Sequence, residues 1–534
     1  MRGIIVAPQP EAVEAGALIL ARGGNAVDAA LACAFVQGVV DPLMTGIAGF
    51  GTMQIYMPGK GVHTNLDFHG RCPAATTPDM WADLLEGETR DGFGFILRGK
   101  VNDAGYASVA IPGSLRAFEE ALRDFGTFDW ADILAPAIDW ARRGSVVRPH
   151  VHAMWHQKES KFGRVDLLDK LAMSRTGREI YFRPDGSPKE LGETIVNLDL
   201  ARTLERISLE GADLFYRGEF AERIDADMRA NGGLLRLQDL KNFRTVRTDP
   251  IRGTYRGLNI SSSAPPGGGV LLMEMLNILE TEEVASLGHN SSDYLCLLAE
   301  AMKAAAFDKE NSVGDPAFVD VPVERLISKD HANAIAEGFR SGQRISITRL
   351  QSKESQNTTH VCVVDAAGNA VSLTHSLGTA SGVITDGLGF MYNSCMSVFD
   401  PRPGRSGSLA PGKARFTSMA PTMVFRGDTP EIVVGSPGGA HISGAIVQSI
   451  VNVVDFGMSP FEAVAAPRIS ATSNVVDVSN RIPRYITDEL ERRGHPIARS
   501  FQGFAFGAPH MLCRKNGNWT GGADPQRDGM ALAV

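Results

Sequence analysis

The chain has 534 residues, 43% of them hydrophobic and 21% charged, with a formal net charge of −8. That length carries one large domain or several smaller ones, and an acidic balance without a basic block excludes a nucleic-acid footprint or an anionic-membrane surface. The six cysteines, Cys33, Cys72, Cys296, Cys362, Cys395 and Cys513, are scattered with no C-x-x-C pair, which argues against a disulfide framework and for a reducing compartment.

The opening "MRGIIVAPQPEAVEAG" holds only a short apolar run, broken by Pro8 and Pro10. It is too interrupted for a signal-peptide core. No apolar run of about 18 residues follows, so no transmembrane helix is expected, and a cytoplasmic location is. "PEAVEAGALILARGGNAVDAALACAFVQGVV" predicts two helices, the first from Pro10 to Gly23-Gly24, the second capped by Asn25. "GTMQIYM" reads as a short strand. Helical stretches continue in "PGSLRAFEEALRDFG", "WADILAPAIDWARRG", "LDLARTLERISLEG", "GEFAERIDADMRANGG" and "NSSDYLCLLAEAMKAAAFDKENS", with a further strand at "LNISSS". Within this half, "GIAGFG" (46–51) has the wrong glycine order for a dinucleotide site, and no βαβ unit follows it. "PHVHAMWH" brings His150, His152 and His156 close together, but no H-E-x-x-H and no further ligand accompanies them, so no metal is expected. "APPGGGV" (264–270) reads as a helix-entry loop.

From Thr358 the character changes. "HVCVVD" with "AVSLT", "APTMVF" with "EIVVGS", and "HMLCRK" with "NWTGG" predict three strand pairs, turned at Gly368-Asn369, Gly427-Asp428 and Asn516-Gly517. Between the second and third pairs, "HISGAIVQSIVNVVDFGM" is apolar almost all round and predicts a buried helix. Strands packed between helices give a layered α/β arrangement. The polar stretch "SITRLQSKESQN" before Thr358 is the one strong boundary.

Two adjacent threonines, Thr358 and Thr359, follow that polar stretch. Such a pair is usually ordinary β sequence. The sharper reading is cleavage between Asn357 and Thr358. A threonine hydroxyl is a weak nucleophile, but an N-terminal Thr carries a general base in its own α-amine. That amine has an ordinary pKa of about 8. The same hydroxyl can attack the preceding carbonyl and free that amine. In "VVGSPGGAHISG" a strand ends in Ser-Pro-Gly-Gly and feeds a helix. Gly438 and Gly439 there can turn backbone N–H groups onto a developing negative charge; the alternative is a plain strand-to-helix turn. In "ARFTSMAPTMV", Thr417 and Ser418 can hold a carboxylate or merely cap a strand.

"NTTHVCVVDAAGNAVSLTHS", "TSMAPTMVF", "VVGSPGGAHI" and "GGADPQRDG", with "GGNAVDAALACAF", "LDFHGRCPAA" and "RGTYRGLNISSSAPPGGGVLLMEMLNILE" before them, together resemble the gamma-glutamyltransferase (gamma-glutamyltranspeptidase) family over nearly the whole chain. The resemblance implies an N-terminal-nucleophile hydrolase: a four-layer αββα sandwich, self-cleaved into residues 1–357 and 358–534, which stay together as one intertwined heterodimer. It implies Thr358 as nucleophile, Ser376 as a second hydroxyl bonded to it, and Gly438 and Gly439 as the oxyanion hole. It sets Thr417 and Ser418 near the substrate carboxylate. No cofactor is implied, and the partner is a small-molecule amide, with neither nucleic acid nor membrane.

The departures matter as much. The family's Arg-Glu clamp is replaced by His69-Gly70, with Arg71 two positions on as a substitute. The family's Asn after the second hydroxyl is Gly378, and the acid that meets the substrate ammonium is Val398. A valine cannot pair with a buried ammonium. The leading expectation is therefore an amide hydrolase or acyltransferase with a carboxylated acyl group. The alternatives are a gamma-glutamyltransferase and glutathione hydrolase with a rebuilt pocket, and a binding protein that never matures.

Overall fold

A computed structural model describes residues 1–89, 92, 94–347, 358–500 and 506–534. Its centre is two antiparallel sheets. In chain order their strands are β1 (Gly3–Ala7), β2 (Phe50–Met57), β3 (Val62–Phe68), β4 (Val246–Thr248), β5 (Ile251–Tyr255), β6 (Leu258–Ser262), β7 (Thr359–Asp365), β8 (Ala370–Ser376), β9 (Thr422–Arg426), β10 (Thr429–Gly435), β11 (His510–Lys515), β12 (Asn518–Ala523) and β13 (Met530–Ala533). The seven-stranded sheet runs β13-β1-β7-β8-β2-β3-β4 and the six-stranded sheet β12-β11-β10-β9-β6-β5.

The helices that matter to the site are α1 (Pro10–Ala21), α2 (Ala26–Val40), α3 (Gly269–Leu279), α4 (Ser292–Ser312), α5 (Lys329–Arg340) and α6 (Ile442–Val454). α1 begins on Pro10, whose fixed φ suits a first helical position. α2 starts with a capping box: Asn25 accepts from the N–H groups of Val27 and Asp28, and Asp28 accepts from Asn25 N–H. α6 is buried along almost its whole length.

Side chains alternate across each strand, so one sheet feeds two cores. Val361, Val363, Val371 and Leu373 pack with Val27 and Leu31 on the α1/α2 side. Cys362, Val364 and Ala370 face Met423, Val433 and Leu512 of the other sheet. Val424, Ile432 and Val434 then pack with Leu272, Ile278, Ile446 and Ile450 of α3 and α6. The result is helix, sheet, sheet, helix. Both faces of both sheets are covered, which is why "HVCVVD" reads as a near-continuous apolar run.

The three expected strand pairs form as β7/β8, β9/β10 and β11/β12. β1 was not expected as a strand: five residues broken off by Pro8 carry no period, and only their place between β13 and β7 makes them one. Strands from the two sides of residue 357 are neighbours in both sheets: β1 with β7, β8 with β2, β6 with β9. No helix among the described residues is long and apolar enough to cross a membrane, and the six cysteines are free thiols, five of them buried.

Candidate active site

β7 and β8 pair so that Thr359 faces His375. The next rung out places Thr358 beside Ser376 at the open end of the hairpin. Thr358 is only 3% exposed, and its Oγ1 donates to Ser376 Oγ at 3.2 Å. Ser376 Oγ also accepts the N–H of Gly378 at 2.9 Å. The Thr358 carbonyl accepts from Arg527 Nη1 at 2.7 Å. Burial pulls Arg527 down to about 10, against the pull of Asp41, Asp524 and Asp528, so it stays cationic at neutral pH. Asn357, the other side of the expected cleavage point, lies outside the described residues.

Behind Thr358 the polar groups are tied off. Gln37 Nε2 donates to Thr359 Oγ1 at 3.0 Å and to Gln9 Oε1 at 2.8 Å, while its Oε1 meets His375 Nε2 at 2.8 Å. His375 Nδ1 meets Thr45 Oγ1 at 2.6 Å. Burial pushes His375 down to about 3, so it is neutral. This network fixes the hairpin end and supplies no base.

β10 runs alongside from the other sheet. A Cβ on Gly435 would come within 2.1 Å of the His360 ring, so only glycine lets this strand end lie against β7, two residues from Thr358. The chain then turns through Ser436 and Pro437 into Gly438 (φ 139°) and Gly439 (φ 55°), both in the left-handed region, and enters α6. Ser436 Oγ accepts the N–H of Ala508 at 3.1 Å and donates to the Pro437 carbonyl, which clamps the turn. Backbone N–H groups at the start of a helix suit an anion.

Thr417 and Ser418 are buried and backed by the "PGGG" loop. Thr417 N–H donates to Pro266 O at 3.0 Å and Gly268 N–H to Met419 O at 2.8 Å. Ser443, in the first turn of α6, donates to Ser418 O at 3.1 Å. A Cβ on Gly268 would lie 2.5 Å from Ser418 O. The expected helix-entry loop does lead into α3, and it also backs this hydroxyl pair, a role that its glycines alone did not signal.

Val398 lines a solvent-open cleft of about 1440 Å³ with Phe95, Phe416, Lys309, Arg402 and Arg405. Gly378 (φ 72°) stands in the left-handed region. His69 is buried, neither ring nitrogen makes a hydrogen bond, and burial beside Arg415 and Arg71 pushes it down to about 3. It is therefore no cationic clamp. Arg71 donates to Gly412 O at 3.3 Å and lies 3.8 Å from Asp315. It lines a separate opening with Asp239, Phe243 and Arg244, which no other candidate shares.

Arg415 was not singled out in the sequence, although it stands two residues before Thr417. Its N–H donates to Gly70 O at 3.1 Å, and its side chain is 1% exposed beside the Phe50 ring. Of the three histidines of "PHVHAMWH", His152 and His156 stack at 4.1 Å and His152 meets Glu190 at 2.6 Å. His150 lies elsewhere, its backbone N–H on Asp528. Glu190 is thus the further ligand-type residue that the sequence did not reveal beside His152 and His156, and a second group of metal-type ligands joins Glu274, Asp308 and His331.

A family model described as gamma-glutamyltranspeptidase matches residues 12–534. The Acylase ACY 1 proenzyme of Pseudomonas sp. (strain V22) is 39% identical, over 100% of this chain and 94% of that protein. The glutathione hydrolase proenzyme of Bacillus subtilis (strain 168) is 31% identical, over 100% and 91%. A crystal structure of cephalosporin acylase from Bacillus halodurans superposes with a TM-score of 0.87 at 30% identity, over 100% of this chain and 96% of that one. The Helicobacter pylori gamma-glutamyltranspeptidase gives 0.55 at 30%, over 64% and 91%.

Proposed function

Since the chain belongs to the gamma-glutamyltranspeptidase family, and its four-layer sandwich is that of the N-terminal-nucleophile hydrolases, we propose that it matures by cutting itself before Thr358 and then works through a Thr358 acyl-enzyme. The observation that carries this reading is the Thr358 Oγ1–Ser376 Oγ contact, itself held by Gly378 N–H. In maturation, Thr358 Oγ attacks the carbonyl of residue 357, the N–C bond passes to O–C, and water hydrolyses the ester. The products are residues 1–357 and 358–534, held together by the interleaved strands. The freed α-amine then takes the Thr358 proton as the hydroxyl attacks a substrate amide. Gly438 and Gly439 offer N–H groups to the oxyanion, and the amine's proton goes to the departing nitrogen. Water or a second amine releases the acyl group.

The substrate we infer is a small amide with a carboxylated acyl group and no α-ammonium. Val398 itself offers no partner to an ammonium, and the solvent-open cleft that it lines carries Lys309, Arg402 and Arg405 beside the acids Glu88, Glu310 and Asp400. A gamma-glutamyl reading has a named relative in its favour and the valine at 398 against it. N-terminal sequencing of the smaller fragment should begin Thr-Thr-His, and Thr358→Ala should remain one band on a denaturing gel. Cleavage at the same bond in that variant would refute self-processing. Among amides, the matured enzyme should turn over dicarboxylic monoamides faster than gamma-glutamyl anilide.

A further inference from the structure

The short helix Pro149–Trp155 buries one face and leaves the other toward solvent. Val151, Met154 and Trp155 pack with Tyr181 and Ile195. His152 and His156, four residues apart, stand together on the outer side. Glu190 reaches the same spot from a distant stretch of chain. We propose that His152, His156 and Glu190 bind one divalent transition-metal ion of the zinc class, as a clip between this helix and the segment that carries Glu190. The proposal is independent of the Thr358 reading.

Backbone contacts build the frame for the three ligands. Ser145 and Val146 pair with Ile195 and Thr194. Val147 N–H then donates to Glu193 O at 2.8 Å, and Gly192 N–H to Val147 O at 3.0 Å. On the other side of Glu190, Lys189 N–H donates to Tyr181 O at 3.0 Å. The N–H of Glu190 itself is held by Glu193 Oε2 at 2.6 Å. Helix and turn are thus fixed side by side without an ion. Ligands ordered in advance lose little further entropy on binding.

The ligand atoms converge. One nitrogen from each imidazole and one Glu190 oxygen all lie within 4.8 Å of one another. His156 Nδ1 meets the His152 carbonyl at 2.9 Å. A carbonyl only accepts, so the neutral ring carries its proton on Nδ1 and its lone pair on Nε2. Metal-binding imidazoles are oriented in this way, with the other nitrogen on a carbonyl or carboxylate. His152 Nε2 meets Glu190 Oε2 at 2.6 Å, and the two rings lie 4.1 Å apart. Zinc with tetrahedral bonds of about 2.0–2.2 Å sets its ligand atoms about 3.3 Å apart. Small side-chain rotations would part the His152–Glu190 pair and bring His156 in. Among the described residues the ion-pair partner of Glu190 is His152. Arg183 and Lys189, cations of the same segment, are bonded to Glu193 and to Thr194 O. Glu190 is about half exposed, so an ion has access and water can complete its coordination. Two imidazoles with one carboxylate favour zinc, nickel or copper(II) over magnesium and calcium, which take oxygen ligands.

The bland reading is a surface His–Glu pair with a second ring stacked on it. Calorimetric titration of the tag-free, chelator-stripped full chain with zinc chloride separates the two. The expected result is a saturable zinc site that persists in excess magnesium, with a melting temperature that rises with zinc concentration. His152→Ala and His156→Ala should each weaken this binding about a hundredfold or more. Glu190→Gln, which keeps the side chain's shape, should weaken it too and abolish the rise in melting temperature. Glu274→Gln disables the other group of ligand-type residues and should leave this binding as it is. Absence of saturable binding, binding unchanged in both histidine variants, or binding lost in Glu274→Gln overturns the proposal. If a histidine variant melts well below the wild type without zinc, Glu190→Gln decides by the same titration, and unchanged affinity there overturns the proposal.

Discussion

At the level of single residues, the proposed chemistry turns on backbone freedom at one glycine pair and on the valine at position 398. Gly439 has φ 55°, where a β-branched side chain is strained. Gly439→Val should rotate an N–H away from the oxyanion, and losing one such donor costs about 2.7–4 kcal/mol in the barrier. Turnover of the matured variant should therefore drop about a hundredfold or more; near-normal kcat would show that these glycines only turn the chain. Val398→Asp places a carboxylate in the cleft that Phe95 and Phe416 line. It should narrow the preference for dicarboxylic monoamides over glutamine-type amides, each tenfold being about 1.4 kcal/mol. A preference that stays the same would place the amine-recognising surface elsewhere. The meeting of Thr358 and Ser376 was legible through the motifs that carry the family resemblance, and a left-handed turn at the glycine pair through the freedom of glycine itself. The backing of Thr417 and Ser418 by Pro266 and Gly268 was not, because a run of glycines before a helix does not signal which distant segment it will meet.

Among secondary-structure elements, the helical layer behind the six-stranded sheet carries a buried proton site. Glu274 of α3 is fully buried, and His331 of α5 stands 3.7 Å from it and 2.7 Å from Asp308 of α4. Burial pushes Glu274 from 4.5 up to about 7, and the two carboxylates push His331 upward. The folded state therefore keeps a proton on Glu274 that the unfolded chain gives up above pH 4.5. Stability from this group is present below 4.5 and declines as pH rises through 7; the His331 shift has the same sign, its contribution being lost as pH climbs past its folded value. Melting temperatures taken between about pH 5 and pH 8 should fall with pH in the wild type, and Glu274→Gln should flatten that slope. Parallel curves would mean that the carboxyl is ionised throughout. The strand pairs β7/β8, β9/β10 and β11/β12 were readable because turn residues and apolar runs are local signals. β1 and β13 were not, since nothing in "GIIVA" or "MALA" is strand-like without its neighbour in the sheet.

For the molecule as a whole, the order of strands decides what maturation can be. β7 lies inside the seven-stranded sheet, between β1 and β8, and its first neighbour, Thr358, is almost wholly covered. The cut it is proposed to make therefore does not separate two bodies. Each sheet contains strands from both sides of residue 357, so unfolding should remain a single event after cleavage. The burial of Thr358 also bears on the kinetic order of the proposed cleavage. A second enzyme molecule would have to approach a residue that is 3% exposed, whereas the Thr358 hydroxyl belongs to the residue whose own N–C bond is cut. Conversion of precursor to two chains should thus be first order, with the same half-time across a wide dilution series and no acceleration when mature enzyme is added. A half-time that shortens with concentration would mean that one copy cuts another, and that the fold opens widely enough at this strand to let it in.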